Sequence, residues 1–371
     1  MDPAPRLPLP LDQLPKAARR PADPGSPRPM RMMAAKGLGP FKGGVLLTLL
    51  AQLAADDDQE VAATALESLR SMPEGVFLAA LRAPDLHPAV LGFVADRLAD
   101  RDGALQAVVE HPNVADATVA RIARSADEQL CERIATNQER ILRAPAIAEA
   151  LYHNRHARMS TVDRLVELCA RNGVRLAVPA FEQHVQALQD QLIAEPTDEP
   201  LPSDQAFAEA LERDADVEAI ERDEEEGTEE VQERFQPLHH RIRQMTISEK
   251  IRMATIGDAA ARSILVRDSN RLVAHAAATS PRMSETEAVN IAHSKEVNDE
   301  VLRILAGRRE WTRNYELKKA LVLNPKTPVG IALRFLPHLR ENDLKSLARS
   351  RNVPGPIRTA AQQRMQQKRR R

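Results

Sequence analysis

Aromatic side chains are scarce in this 371-residue chain: Phe, Trp and Tyr together make up 3%, and Trp311 is the one tryptophan. Deep ligand pockets draw much of their wall from rings, so this shortage argues against one. Cysteine is scarcer still. Cys131 and Cys169 form no C-x-x-C or Cys/His metal spacing, and both sit among helical apolar residues, which points to inert buried thiols in a reducing compartment. Long hydrophobic runs are also missing. The longest, residues 44–55, is interrupted by Gln52 and too short to span a bilayer, and no charged-then-apolar leader opens the chain. A cytoplasmic protein with no membrane contact is the expectation. No Walker-type glycine loop, G-x-S-x-G, H-E-x-x-H or paired-carboxylate motif occurs, so no mechanism, catalytic residue or cofactor can be assigned. A non-enzyme is expected.

What the chain has in quantity is helical patterning: 43% of its residues are hydrophobic, drawn mainly from Leu, Ala, Val and Ile. Residues 57–69 read as one amphipathic helix, with acids at its positive end and Val61, Ala65, Leu66 and Leu69 on one stripe. Pro and Gly punctuation at Met72-Pro73, His87-Pro88, Asp102-Gly103, His111-Pro112, Pro145 and Arg171-Asn172-Gly173 predicts short helices between those points. No strand-like alternation stands out.

A phrase recurs. Residues 107–123, 276–292 and 320–336 each end a helix in small or aliphatic residues, turn through a polar residue and proline, and resume with apolar residues at helical spacing. His111, Ser280 and Asn324 share the position before the proline, and their varied polar identity predicts turn and capping roles. Asn342 and Asp343 before Leu344 likewise read as an N-cap. Self-similarity at roughly 40–47 residues is the mark of HEAT- or armadillo-type stacks. The predicted fold is therefore all-α: two HEAT/armadillo-like helical-repeat (α-solenoid) domains joined by an acidic disordered linker.

Boundaries follow from composition. Residues 1–40 hold ten prolines without apolar periodicity and read as a disordered tail with PxxP spacings, in which Met30, Met32 or Met33 could serve as the start. Residues 41–194 form the first helical domain. Residues 195–236 carry the acidic run 221–230 and read as an extended linker, with a frayed helix over residues 205–220. Residues 237–366 form the second helical domain, and 367–371 a basic tail.

Formal net charge is only -1, with 52 Lys and Arg against 53 Asp and Glu, but the signs are segregated. From Pro237 onward, 27 basic residues face 12 acidic ones, an imbalance that implies an acidic partner. The candidate partner-binding residues are Arg303, Arg308, Arg309, Arg313, Lys318, Lys319 and Lys326. They would present a basic face to a protein partner with an acidic segment, with nucleic acid as the alternative, held through phosphates and the rings of Trp311 and Tyr315. Trp311 reads better as a core anchor between helices. His153 and His156, with Asp163 beyond, have metal-like spacing but no third ligand at a defined distance, so no metal is expected. His239 and His240 are adjacent and point apart on a helix.

Residues 137–151, 159–173 and 308–327 (NQERILRAPAIAEAL, MSTVDRLVELCARNG and RREWTRNYELKKALVLNPKT) resemble a family of uncharacterised HEAT-like helical-repeat proteins of myxobacteria and related deltaproteobacteria. The resemblance covers both helical regions but not the proline-rich start or the acidic run, and it implies a helical-repeat fold without implying an activity.

Overall fold

The computed structural model describes residues 6–189, 199–213, 219–222, 228–350 and 353–369. Among these, 24 α-helices, four short 3-10 helices and a single two-stranded hairpin account for the regular structure, so the chain is mostly helical. It divides into two units, Met1–Ala157 and Arg158–Arg371.

The first unit holds α1 (Lys16–Arg19), α2 (Arg28–Ala35), α3 (Gly43–Leu53), α4 (Gln59–Ser71), α5 (Glu74–Leu81) and α6 (Pro88–Arg97). After these come α7 (Ala104–Glu110), α8 (Asp116–Ala123), α9 (Glu128–Ala135), α10 (Gln138–Arg143) and α11 (Ala146–His153). All the helix ends expected at proline and glycine fall where the punctuation placed them. Asp58 caps α4 by accepting from the N–H groups of Glu60 and Val61, and Val61, Ala65 and Leu69 are its buried stripe. Helices α3, α5 and α7 pack in one row, and α6, α8 and α11 in another.

The proline-rich start is not a tail. Leu9, Leu14, Ala18, Ala22, Ala34 and Ala35 are all buried. Gln52, the polar break in the apolar run of α3, is the anchor: its amide donates to the Leu9 carbonyl at 2.9 Å and accepts from the Leu9 N–H at 2.8 Å. Arg28 pairs with Asp58, and Arg31 with Asp56. The correction has a physical reason. Prolines lower the entropy of the unfolded segment and sit just before or within the first turns of α1 and α2, so little burial is needed to hold it.

The second unit opens with α12 (Met159–Arg171), α13 (Phe181–Leu188) and α14 (Pro202–Glu212), followed by β1 (Ile220–Arg222) and β2 (Glu229–Val231). Then come α15 (Gln236–Gln244), α16 (Ile247–Ile256), α17 (Ala259–Leu265), α18 (Arg271–Thr279) and α19 (Glu285–His293). The chain closes with α20 (Asp299–Gly307), α21 (Tyr315–Leu323), α22 (Val329–Phe335), α23 (Glu341–Arg349) and α24 (Gly355–Arg369). Thr246 with Glu249, and Ser284 with Glu287, form capping boxes that start α16 and α19. Ala274, Ala276, Ala277 and Ala278 of α18 are fully buried, and side chains this small let neighbouring axes approach closely without rings between them.

Helices here pack on the helix next but one: α16 on α18 and α18 on α20 in one row, α17 on α19 and α19 on α21 in the other. The recurring phrase therefore marks a corner rather than the stacking interval. It aligns the α18–α19 corner with the α21–α22 corner, and these start from different rows.

Residues 195–236 are not a free tether where they are described. Phe207 and Ala210 of α14, Ala219 and Ile220 are buried, and the short hairpin is a strand signal the sequence pattern did not show. The boundary placed at residue 194 also shifts, because α12 and α13 pack with α16 and belong to the second unit. The acidic residues 223–226 and the side chains of 368–371 lie outside the described residues.

Candidate functional site: cations and helix ends of the second unit

The seven candidate basic residues do not form one face. Arg303 on α20 is exposed and pairs with Asp299 one turn back at 3.1 Å. Arg308 is half-buried: it donates to the Thr279 carbonyl at 2.9 Å and lies 4.3 Å over the Trp311 ring. Lys319 reaches Asp343 at 3.2 Å, and the bond to that carboxylate raises its pKa. Lys318 sits half-buried with its ammonium 3.5 Å from the Arg313 carbonyl. Arg309 and Arg313 are exposed at the corner between α20 and α21, and Lys326 is exposed beyond the far end of α21. A nine-residue helix is about 13 Å long, so Lys326 and Arg309 stand at opposite edges of this row. None of these three forms a salt bridge among the described residues.

The two rings next to these cations are already covered. Trp311 is 6% exposed and packs as a core residue beneath Arg308. Tyr315 lies under Arg340 at 4.3 Å, donates its hydroxyl to Asp343 and accepts from the Arg340 N–H at 2.9 Å. Asp343, expected as an N-cap, instead lies inside α23 and serves Tyr315 and Lys319, while the N-cap position falls to Arg340.

The structure gives the polar residues before the prolines two jobs. Each keeps the local turn: Asn113 N–H donates to His111 Nδ1 at 3.1 Å, Arg282 N–H to Ser280 Oγ at 3.3 Å, and Lys326 N–H to Asn324 Oδ1 at 2.9 Å. Each also reaches the end of an earlier helix. His111 Nε2 meets the Ala83 carbonyl at 2.9 Å, Ser280 Oγ donates to Thr255, and Asn324 Nδ2 donates to both Ala292 and Ser294 at 2.8 and 2.7 Å. Asn154 does the same to Ala123 and Ala126, without a following proline. These carbonyls lie in the last turn of a helix (Thr255, Ala292, Ala123) or one to three residues past its end (Ser294, Ala83, Ala126), so a donor one corner away ties neighbouring helices together.

Arginines repeat this on the row of α16, α18, α20 and α22. Arg282 donates to Ile256, Arg308 to Thr279 and Arg334 to Ala306, and the three donors follow one another every 26 residues. A guanidinium suits a helix C-terminus because it meets both the orphan carbonyl and the negative end of the dipole. Much of the arginine excess is thus structural. The regular spacing of Arg282, Arg308 and Arg334 was the sequence signal for it.

A buried polar line joins α12, α13 and α16. Ser248 Oγ donates to Asp163 Oδ1 at 2.6 Å, and His184 Nδ1 lies 3.0 Å from the same hydroxyl. Burial pushes the Asp163 carboxyl up to about 7, against the Ser248 bond that favours its charged form. Burial, with Arg252 nearby, lowers the His184 imidazole to about 3. Arg252 is fully buried, 4.1 Å over the Phe207 ring. A hydrolytic triad needs histidine between serine and carboxylate so that it can take the serine proton. Here serine is in the middle, already donating to the acid. Asp163 follows Met159 and precedes Val166 at helical spacing, so its place on the apolar face of α12 could be seen in the sequence.

The acidic hairpin docks on the ends of α17 and α19. Glu229 accepts from Arg267 Nε at 2.6 Å and from Ser294 Oγ at 2.7 Å, with Arg222 Nε at 3.7 Å. Its side chain is 4% exposed. Burial alone would raise this carboxyl, but Arg267, Ser294 and Arg222 outweigh it and hold the pKa below the ordinary glutamate value. Nothing distinguishes Glu229 from its acidic neighbours in sequence.

Surface hollows of about 490 and 290 Å³ flank α13, lined in part by Arg175, Phe181 and Gln183 and by Arg171, Val185 and Leu188, and another of about 340 Å³ lies among α7–α11 near Arg140. None of these three touches the Asp163 line. Among the described residues, no group of three or more His, Cys, Asp or Glu is placed to hold a metal ion, and no helix is long and apolar enough to cross a membrane. Cys131 and Cys169 are both buried. No protein-family model, no curated protein and no solved structure matches the chain.

Proposed function

We propose that this protein is a non-enzymatic scaffold of the cytoplasm, an α-solenoid of HEAT/armadillo type that belongs to the helical-repeat family its phrases resemble. Its second unit binds an acidic segment of a protein partner. The observation that carries this is the contrast among cations. Arg308, Arg282 and Arg334 serve helix ends and Lys319 serves Asp343, whereas Arg309, Arg313 and Lys326 are exposed with no ion pair among the described residues. Such cations attract acids at long range and set association rate and register more than affinity. Packing of alternate helices in two rows supports the solenoid, since each helix leaves one flank for its neighbour to cover.

The test is a titration of full-length protein with a labelled Asp/Glu-rich peptide, compared with duplex DNA, at about 50 mM salt. The peptide should bind, and R309E/R313E should weaken it at least about ten-fold, as reversing two contact charges does. Peptide binding unaffected by the reversal would refute the assignment to this corner. Tight, salt-sensitive DNA binding lost in the same variant would favour nucleic acid instead. The covered rings of Trp311 and Tyr315 offer bases no stacking platform.

A further inference from the structure

The hairpin is poorly equipped to stand alone. Each strand has three residues, and its central cross-strand pair is Glu221 opposite Glu230, two exposed like charges. Isolated two-stranded hairpins are marginal in water, and facing like charges destabilise them further. What holds it lies outside the strands. Glu229 enters the slot between Arg267 and Ser294, Arg222 donates to the Asn290 carbonyl of α19, and Ala219 and Ile220 are buried. Arg267 is itself 9% exposed, so the slot is a desolvated carboxylate site rather than a surface ion pair.

The slot continues along one edge. Asn324 Nδ2 donates to the Ser294 carbonyl at 2.7 Å, and the exposed Lys326 follows at that corner. Lys295, next to Ser294, is exposed too.

We propose that the Arg267–Ser294 slot is a binding site for an extended acidic strand of a partner protein, and that residues 228–231 occupy it as an intramolecular stand-in. The partner strand replaces β2: one glutamate takes the place of Glu229, and further acids reach Lys295 and Lys326. This rests on the reading of the second unit as a binder of acidic protein segments, but uses a different contact from the Arg309–Arg313 corner. The tethered strand competes at the millimolar effective concentration typical of short connections, so the partner must outbid it or arrive with several acids.

The test uses the full chain and a fluorescent peptide of residues 227–233, read by anisotropy. E229Q, which keeps the shape and the acceptor oxygen but not the charge, should bind the peptide at least about ten-fold more tightly than wild type, because its own strand competes less well. Adding R267A should abolish that binding, and a peptide carrying alanine for Glu229 should not bind. Equal affinity for wild type and E229Q, binding to neither, or indifference to R267A would each overturn the proposal. Folding is checked by helical circular dichroism. If E229Q loses that signal, deletion of residues 221–230 takes its place under the same criteria. R309E/R313E should leave this peptide's binding to E229Q within about two-fold, so the slot and the corner can fail independently.

Discussion

Replacing Asn324 with alanine should be among the most damaging single changes to the second unit, although the residue touches no ligand and sits in a turn. Asn324 is 3% exposed and makes three hydrogen bonds: two from its amide to the Ala292 and Ser294 carbonyls, and one to its Oδ1 from the Lys326 N–H. Net values of about 1 kcal/mol per bond, raised where a buried group is left without a partner, give a cost of about 2–4 kcal/mol. S280A, which removes one donor from Thr255 and one longer bond from the Arg282 N–H, should cost less, about 1–2 kcal/mol. N324D should be no better than alanine, since it turns a carboxylate toward two carbonyl oxygens. Trp311 is the only tryptophan and is buried in the same unit, so its fluorescence during urea unfolding reports the effect directly. K326A, at an exposed neighbour, is the control. A change in N324A below about 0.5 kcal/mol, or no larger than the control, would refute the idea that these amides tie one helix end to another.

Two other predictions concern buried polar groups. Asp163 has a raised folded pKa, so its contribution is full below its unfolded value and is lost as pH rises towards about 7. His184 has a lowered one, so its contribution is lost as pH falls from about 6.5 towards about 3. The slopes oppose each other over about pH 4–6.5, so the two groups together add little pH dependence there. D163N, which keeps an acceptor for Ser248, should unmask His184 and lose on the order of 1.4 kcal/mol per pH unit of acidification more than wild type does. Parallel pH profiles for the two proteins, measured by urea unfolding, would contradict this. In the first unit, Q52A removes both bonds to the Leu9 backbone and should speed tryptic cleavage after Lys16 and Arg19 several-fold; an unchanged digestion rate would show that burial of Leu9 and Leu14 holds the segment without the glutamine.

Helix class and helix ends were legible in the sequence because both are local. Pro73, Pro88, Gly103, Pro112, Pro145 and Gly173 stop or start helices through backbone sterics that need no partner, and Asp58, Ser284 and Asn314 cap them with side chains a few residues away. The position shared by His111, Ser280 and Asn324 was also visible. What it bonds to was not, because the acceptors lie 25–32 residues back.

Tertiary structure decided the rest, and charge shows why. Arg303 to Lys326 look alike as a basic run, yet packing pairs Lys319 with Asp343, buries Arg308 against Thr279 and Trp311, and leaves Arg309, Arg313 and Lys326 exposed at opposite edges. Glu229 looks like any acid in its run until Arg267 and Ser294 close around it, and the proline-rich start looks unstructured until Gln52 meets Leu9. Backbone preferences act over one helical turn and can be read from neighbours in the chain. Desolvation and ion pairing depend on which distant groups share the same few ångströms, and only the folded chain brings those together.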